Sequence, residues 1–143
     1  FKQANALIGS RFTVDRGATR GKVVIGTVKG DIHDIGKDIV VSLLKAANYD
    51  VYDLGVDVPP DKFVDAVKET GAPVVGLAGL LTISFDSMKA TVAALEAAGL
   101  RSQVKVMIGG GLVTEQVRVY AGADAVGRDA QAAVSLCNRW IGG

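Results

Sequence analysis

Two rhythms of apolar residues alternate along the chain. Short runs dense in β-branched residues carry no polar alternation, as strands covered on both faces do. They fall at Val23 to Thr27, Asp50 to Leu54, Val74 to Ala78, Lys105 to Ile108 and, more weakly, Ala123 to Val126. Between them the apolar spacing is helical. Ile35, Ile39, Val40, Leu43 and Leu44 predict a helix from Ile35 to about Ala47, with Asn48 as a left-handed stop. Val58-Pro59-Pro60-Asp61 opens a second helix through Glu69, with Phe63, Val64 and Val67 inward and Gly71 at its end. A third starts near Ser84 as N-cap, with Phe85, Met88, Val92 and Leu95 on its core stripe and Gly99 after it. Thr114 caps a short helix through Tyr120. Gly127-Arg128-Asp129 leads into the last, where Ala133, Val134, Cys137 and Trp140 or Ile141 share a face.

Strict strand–helix alternation predicts an α/β fold with a parallel sheet and right-handed crossovers. For five strands the expected arrangement is flavodoxin-like (Rossmann-like), order 2-1-3-4-5, with helices on both faces. Residues 1–20 lack clear periodicity and read as an N-terminal arm or linker; 21–143 read as the folded domain.

In such a sheet, ligands sit beyond the carboxyl ends of the strands, at the switch point between the first and third. The loop after the first strand is Gly30-Asp31-Ile32-His33-Asp34-Ile35-Gly36, and it holds the single histidine. Asp31 and His33 are two apart, so in extended backbone they point the same way. An imidazole beside a carboxylate is either a metal ligand oriented by its partner or an acid/base pair. The glycines at 79, 109, 110, 111 and 127 lie in the other loops of that edge, where they serve turns or ligand approach.

Composition narrows the classes. The chain has 143 residues, nearly half apolar, and a formal net charge of +1, so no nucleic-acid surface is indicated. One cysteine, Cys137, excludes an internal disulfide and suits a cytoplasmic protein. No apolar run has the roughly 20 residues that span a bilayer, and no signal peptide is visible. A start at Phe1 suggests a piece of a longer protein. The Lys and Arg residues read as solvated surface; Met88, Phe85 and Trp140 as core; Cys137 as inert packing.

Phosphate cradles fit poorly. Gly30 to Lys37 has P-loop flavour, but the glycine spacing is one residue too long and Asp38 stands where Ser or Thr would bind magnesium. The three-glycine dinucleotide fingerprint is absent. A phosphoacceptor domain would need an Asp at the end of the third strand, where Ala78 and Gly79 stand.

The set Asp31-x-His33-x-x-Gly36, Ala78-Gly79-Leu80 with Thr82 and Ser84, and Gly109-Gly110 resembles the cobalamin-binding domain. The likeness runs from about Lys22 to the last helix and is greatest to the corrinoid proteins of methyltransferase systems and the corresponding module of methionine synthase. The resemblance implies a cobamide such as methylcobalamin as cofactor, and a helical cap domain preceding this one that is absent here. It implies that His33 is the lower axial ligand to cobalt, within a loop comprising Gly30, Asp31, Ile32, Asp34, Ile35 and Gly36. Asp31 would bond the other imidazole nitrogen and Ser84 would extend the relay, though Ser84 and Thr82 also read as caps. The nucleotide tail would enter a slot beside the last helix. Ala78, Gly79, Leu80, Thr82, Gly109 and Gly110, with Val126, Gly127 and Ala130, would line it. Ala78 replaces the family's usual Ser, a donor to the tail base, and Val126 replaces a frequent Tyr.

The resemblance further implies a methyl carrier cycling between Co(I) and methyl-Co(III). Its partners would be a methyl-donor:corrinoid methyltransferase and a corrinoid:acceptor methyltransferase of the tetrahydrofolate type, with a reductive activator as a further partner and no nucleic acid or membrane. Two other roles carry the same motif: the cobalamin module of an adenosylcobalamin-dependent mutase and a corrinoid-sensing binding module.

Overall fold

The structure, a computed structural model, describes residues 20–141; the expected N-terminal arm lies outside the described residues, save Arg20. Strands β1 (Lys22–Thr27), β2 (Asp50–Asp53), β3 (Val74–Ala78), β4 (Lys105–Gly109) and β5 (Ala125–Val126) alternate with helices α1 (Ile35–Ala46), α2 (Pro60–Thr70), α3 (Thr82–Ala97), α4 (Glu115–Ala121) and α5 (Ala130–Ile141). The sheet is parallel throughout, in the order β2-β1-β3-β4-β5. This is the flavodoxin-like arrangement that the alternation predicts.

Strand parity sorts the side chains into two layers. Val24, Val75, Leu77, Val106 and Ile108 pack with α2, α3 and α4 through Phe63, Val67, Met88, Val92 and Leu95. Val23, Val74 and Met107 face the other way, onto Leu44 of α1 and Ala133, Val134 and Cys137 of α5. The β-branched runs fit because each strand is buried on both faces. Pro60 opens α2, and the left-handed Gly71 (φ +70°) closes it. Asn48 adopts φ +73° just after α1. Asp129 caps α5, its Oδ1 accepting from the Ala132 N–H at 2.8 Å.

Three expectations are corrected. The helix α3 begins at Thr82 and its N-cap is Leu81, so Ser84 is not the cap; it lies in the first turn, fully buried. The stripe predicted to bury α1 is only partly covered. Ile35, Ile39 and Leu43 are exposed, and the buried positions are Lys37, Val41 and Leu44. Lys37 is therefore not surface. Its ammonium is held by Asp53, through both carboxylate oxygens at 2.8 and 2.9 Å, and by Asp38 at 2.8 Å. Burial disfavours the ammonium, yet these carboxylates hold its pKa above the usual lysine value. No helix among the described residues is long and apolar enough to cross a membrane.

Candidate functional site

Because β2 and β3 flank β1 on opposite sides, the chain reverses direction across the sheet at β1 and β3, and their carboxyl ends open a crevice. Two loops meet there, 28–34 after β1 and 79–81 after β3. Asp31 joins them. Its carboxylate is completely buried. One oxygen accepts from the His33 backbone N–H (2.9 Å) and pairs with His33 Nδ1 (2.7 Å). The other accepts from the Leu80 N–H (2.7 Å) and the Ser84 hydroxyl (2.6 Å). The Ser84 oxygen in turn accepts from the Leu81 N–H at 3.3 Å.

The His33 loop is fixed from other sides too. The Thr27 hydroxyl donates to the His33 carbonyl (2.8 Å), the Gly30 N–H to Asp57 Oδ1 (2.8 Å), and the Ser87 hydroxyl to the Lys29 carbonyl (2.8 Å). Burial alone would raise the Asp31 pKa. The Ser84 hydroxyl, the backbone N–H groups of His33 and Leu80 and the His33 ring overcome it, and the pKa falls well below the usual carboxylate range. Asp31 is thus an anion, and the proton it shares with the imidazole belongs on Nδ1. That leaves the Nε2 lone pair free on a ring whose side chain is 49% exposed. Such a ring can donate one nitrogen to a metal or take up a proton as a general base. Among the described residues no group of three or more His, Cys, Asp or Glu gathers to cage an ion, so further donors to a metal must come from elsewhere.

Beside the His33 ring a cavity of about 590 Å³ runs between the sheet and helices α1 and α5. Of the residues expected there, His33, Gly36, Ala78, Gly79, Leu80, Gly109, Gly110, Gly127 and Ala130 line it. Asp31 and Ser84 lie behind the imidazole, buried. Gly30, Ile32 and Asp34 of the loop and Ile35, the first residue of α1, lie outside the lining, with Ile32 and Ile35 exposed. Thr82 is exposed in the first turn of α3 and does not line the cavity. Val126 packs against the α2–α4 layer instead, because its strand parity turns it to the opposite face.

Two glycines are demanded by the protein's own backbone. A Cβ on Gly110, at φ +147°, would lie 1.8 Å from the Gly79 carbonyl oxygen; one on Gly79 would lie 2.5 Å from Ser84 Cβ. Without these glycines the loops could not close over Ser84. The lining also includes Ile25, Gly76 and Met107, side by side on β1, β3 and β4, and Ile39 and Val40 of α1. Sequence reasoning missed them. For Ile25, Gly76 and Met107 the signal is shared strand parity, which counts only once the slot is known to lie on the α1 and α5 side.

The B12 binding domain profile matches residues 21–136. The chain is 42% identical over 115 residues to a dimethylamine corrinoid protein of Methanosarcina acetivorans, covering 80% of this chain and 54% of that protein. A crystal structure described as a cobalamin-binding protein from Desulfitobacterium hafniense superimposes with a TM-score of 0.83 at 49% identity, over 85% of this chain and 59% of that one. The methanol:cobalamin methyltransferase complex of Methanosarcina barkeri contains a chain matching with a TM-score of 0.83 at 32% identity, over 88% of this chain and 48% of that one. The chain thus spans about half the length of the relatives it matches.

Proposed function

The chain belongs to the B12-binding domain family, and we propose that it is the cobamide-holding part of a methyl carrier serving two partner methyltransferases, one taking the methyl group from a donor and one delivering it to an acceptor. The observation that carries this reading is the His33 imidazole, held through Nδ1 by a buried anion and leaving Nε2 free at the mouth of a cavity. The residues fit a base-detached cobamide. One nitrogen ligand is pre-oriented, the surroundings supply no competing chelate, and the cavity lies within the ~300–1,000 Å³ usual for small-molecule pockets.

When bound, the cobalt centre supplies the chemistry, accepting and releasing the methyl group. The chain's own residues hold and tune it. His33 would hold the metal through Nε2. Asp31 would fix the ring's tautomer and orientation, and Ser84 stabilises the Asp31 anion. The cavity beside α5 would take the tail of the cofactor. Ile32, Ile35, Leu80 and Ile83, exposed on the loops and helix starts around His33, give the macrocycle an apolar seat. The methyl donor would be chosen by the partner enzyme. Relatives sharing this domain are described for dimethylamine and for methanol, and the carrier reading accommodates both. These descriptions favour methyl transfer over a radical mutase or a sensor.

Titration with hydroxocobalamin tests the reading. The protein should take up one equivalent and shift the visible spectrum. The His33→Ala variant should still retain cofactor through the cavity, with an altered methylcobalamin spectrum. An identical spectrum in the variant would remove His33 from the cobalt.

A further inference from the structure

The wall that the sheet offers to this cavity is made of two rows. Ala78 and Gly109 stand next to the carboxyl edge, and Ile25, Gly76 and Met107 lie one residue pair deeper. Backbone groups between these strands are engaged in the parallel ladder. These five residues carry no side-chain donor; Thr27, beside Ala78 on β1, donates its hydroxyl to the His33 carbonyl. The facing wall is Ile39 and Val40 of α1 and Ala130 and Ala133 of α5.

Polar side chains enter the lining at His33, at Lys37 and at the start of α5. The Lys37 ammonium is taken by Asp38 and Asp53. Arg128, Asp129 and Gln131 are exposed at the start of α5, and Asp129 is occupied as its cap. His33 stands at the mouth. The Ile25–Gly76–Met107 row and the facing Ile39, Val40, Ala130 and Ala133 therefore present no side-chain donor. The depth of this inner end depends on Gly76, where a Cβ would come within 3.2 Å of both Ile25 and Met107.

We propose that this inner end selects cobamides whose lower ligand requires no hydrogen bond, a phenol-type ring, over those ending in a benzimidazole. The proposal rests on the cobamide reading given above. A benzimidazole detached from cobalt brings a ring-nitrogen lone pair into the cavity, and an acceptor buried without a donor is penalised. A phenyl ring brings no such demand, and the Met107 thioether is a favourable neighbour for an aromatic edge. Ala78 shares the Gly76 face of β3, so a hydroxyl at position 78 would project into the cavity and meet that demand.

The experiment is equilibrium binding, read by visible absorbance, of cobalamin and of phenolyl cobamide to the wild-type chain and to Ala78→Ser. Detaching benzimidazole from cobalt belongs to the cofactor and cancels between the two proteins. The ratio of the Kd for cobalamin to that for phenolyl cobamide should exceed one in the wild type. It should fall by roughly fivefold or more in Ala78→Ser, the yield of one donor restored to a buried acceptor. A ratio that moves by less than about twofold overturns the inference, as does a wild-type ratio below one, which needs no variant. Failure of both cobamides to bind the wild type would sink the cofactor reading itself. Tight binding of both with an unmoved ratio sinks only the selectivity.

Discussion

Replacing Asp31 with Asn is the most demanding perturbation available, because it keeps shape and burial while changing charge and donor pattern. The native carboxylate is fully buried and receives only donors: Ser84 Oγ at 2.6 Å, Leu80 N at 2.7 Å, His33 Nδ1 at 2.7 Å and His33 N at 2.9 Å. An amide has one accepting oxygen. Whichever way it turns, its NH₂ group faces a backbone N–H, of either His33 or Leu80, and strands it. A hydrogen bond to a charged group contributes about 1.5–3 kcal/mol, and a buried donor left unmet costs about 1–3 kcal/mol. Since the bonds share one carboxylate and do not add, the expected loss is about 2–5 kcal/mol. For a chain of this size that lowers Tm by roughly 6–20 °C.

Urea and thermal melts of Asp31→Asn against wild type, at several pH values, measure it. The sign follows from the depressed pKa in the folded chain. The contribution of the carboxylate is complete above its ordinary value of 3.8 and is lost as pH falls from there toward the folded pKa. The gap between wild type and variant should stay constant from neutral pH down to that value and narrow below it. A gap under about 1 kcal/mol at pH 7, or one that widens in acid, would refute the view of Asp31 as the anion that ties the two loops together.

Gly110→Ala should be among the most damaging single changes, because its Cβ would collide with the Gly79 carbonyl at a left-handed φ. A loss above about 3 kcal/mol in a denaturant melt, with weakened cobamide uptake, is expected. Lys37→Met should destabilise by about 2 kcal/mol through loss of the clip between α1 and β2. A urea melt within about 0.5 kcal/mol of wild type would show the clip to be idle. Cys137 is fully buried, and desolvation pushes its thiol up to about 12. It should ignore a thiol-specific chromogenic reagent until denaturant is added, and prompt reaction in the native chain would contradict the packing of α5.

Much of this arrangement was readable from residue order, for local reasons. Each strand is a run that suits burial on both faces, and Gly71, Asn48 and the Pro60 start punctuate the helices by backbone chemistry that needs no tertiary context. Asp31 and His33 were readable as a pair because two-residue spacing in a loop brings them to one side. Other features required the third dimension. The periodicity of α1 shows an apolar stripe but not whether anything covers Ile35 and Ile39. The burial of Lys37 depends on Asp53, sixteen positions away and across the β1–β2 ladder. Ser84 looked like a cap because its type favours that role, whereas the helix starts earlier and turns its hydroxyl toward Asp31. Gly76 and Met107 were silent because parity assigns them to a cavity only once the slot is known to lie on the α1 and α5 side. Val126 falls outside the lining for the same reason.

The two layers over the sheet are unequal. Under α2, α3 and α4 the larger buried cluster packs directly onto the sheet, whereas the α1 and α5 layer arches over a hollow. Guest entry must therefore strain the thinner roof and leave the dense half undisturbed. Amide exchange should begin in α1 and α5 and slow there once the hollow is filled. The solid half is then a permanent mould against which the roof can be re-formed after each release.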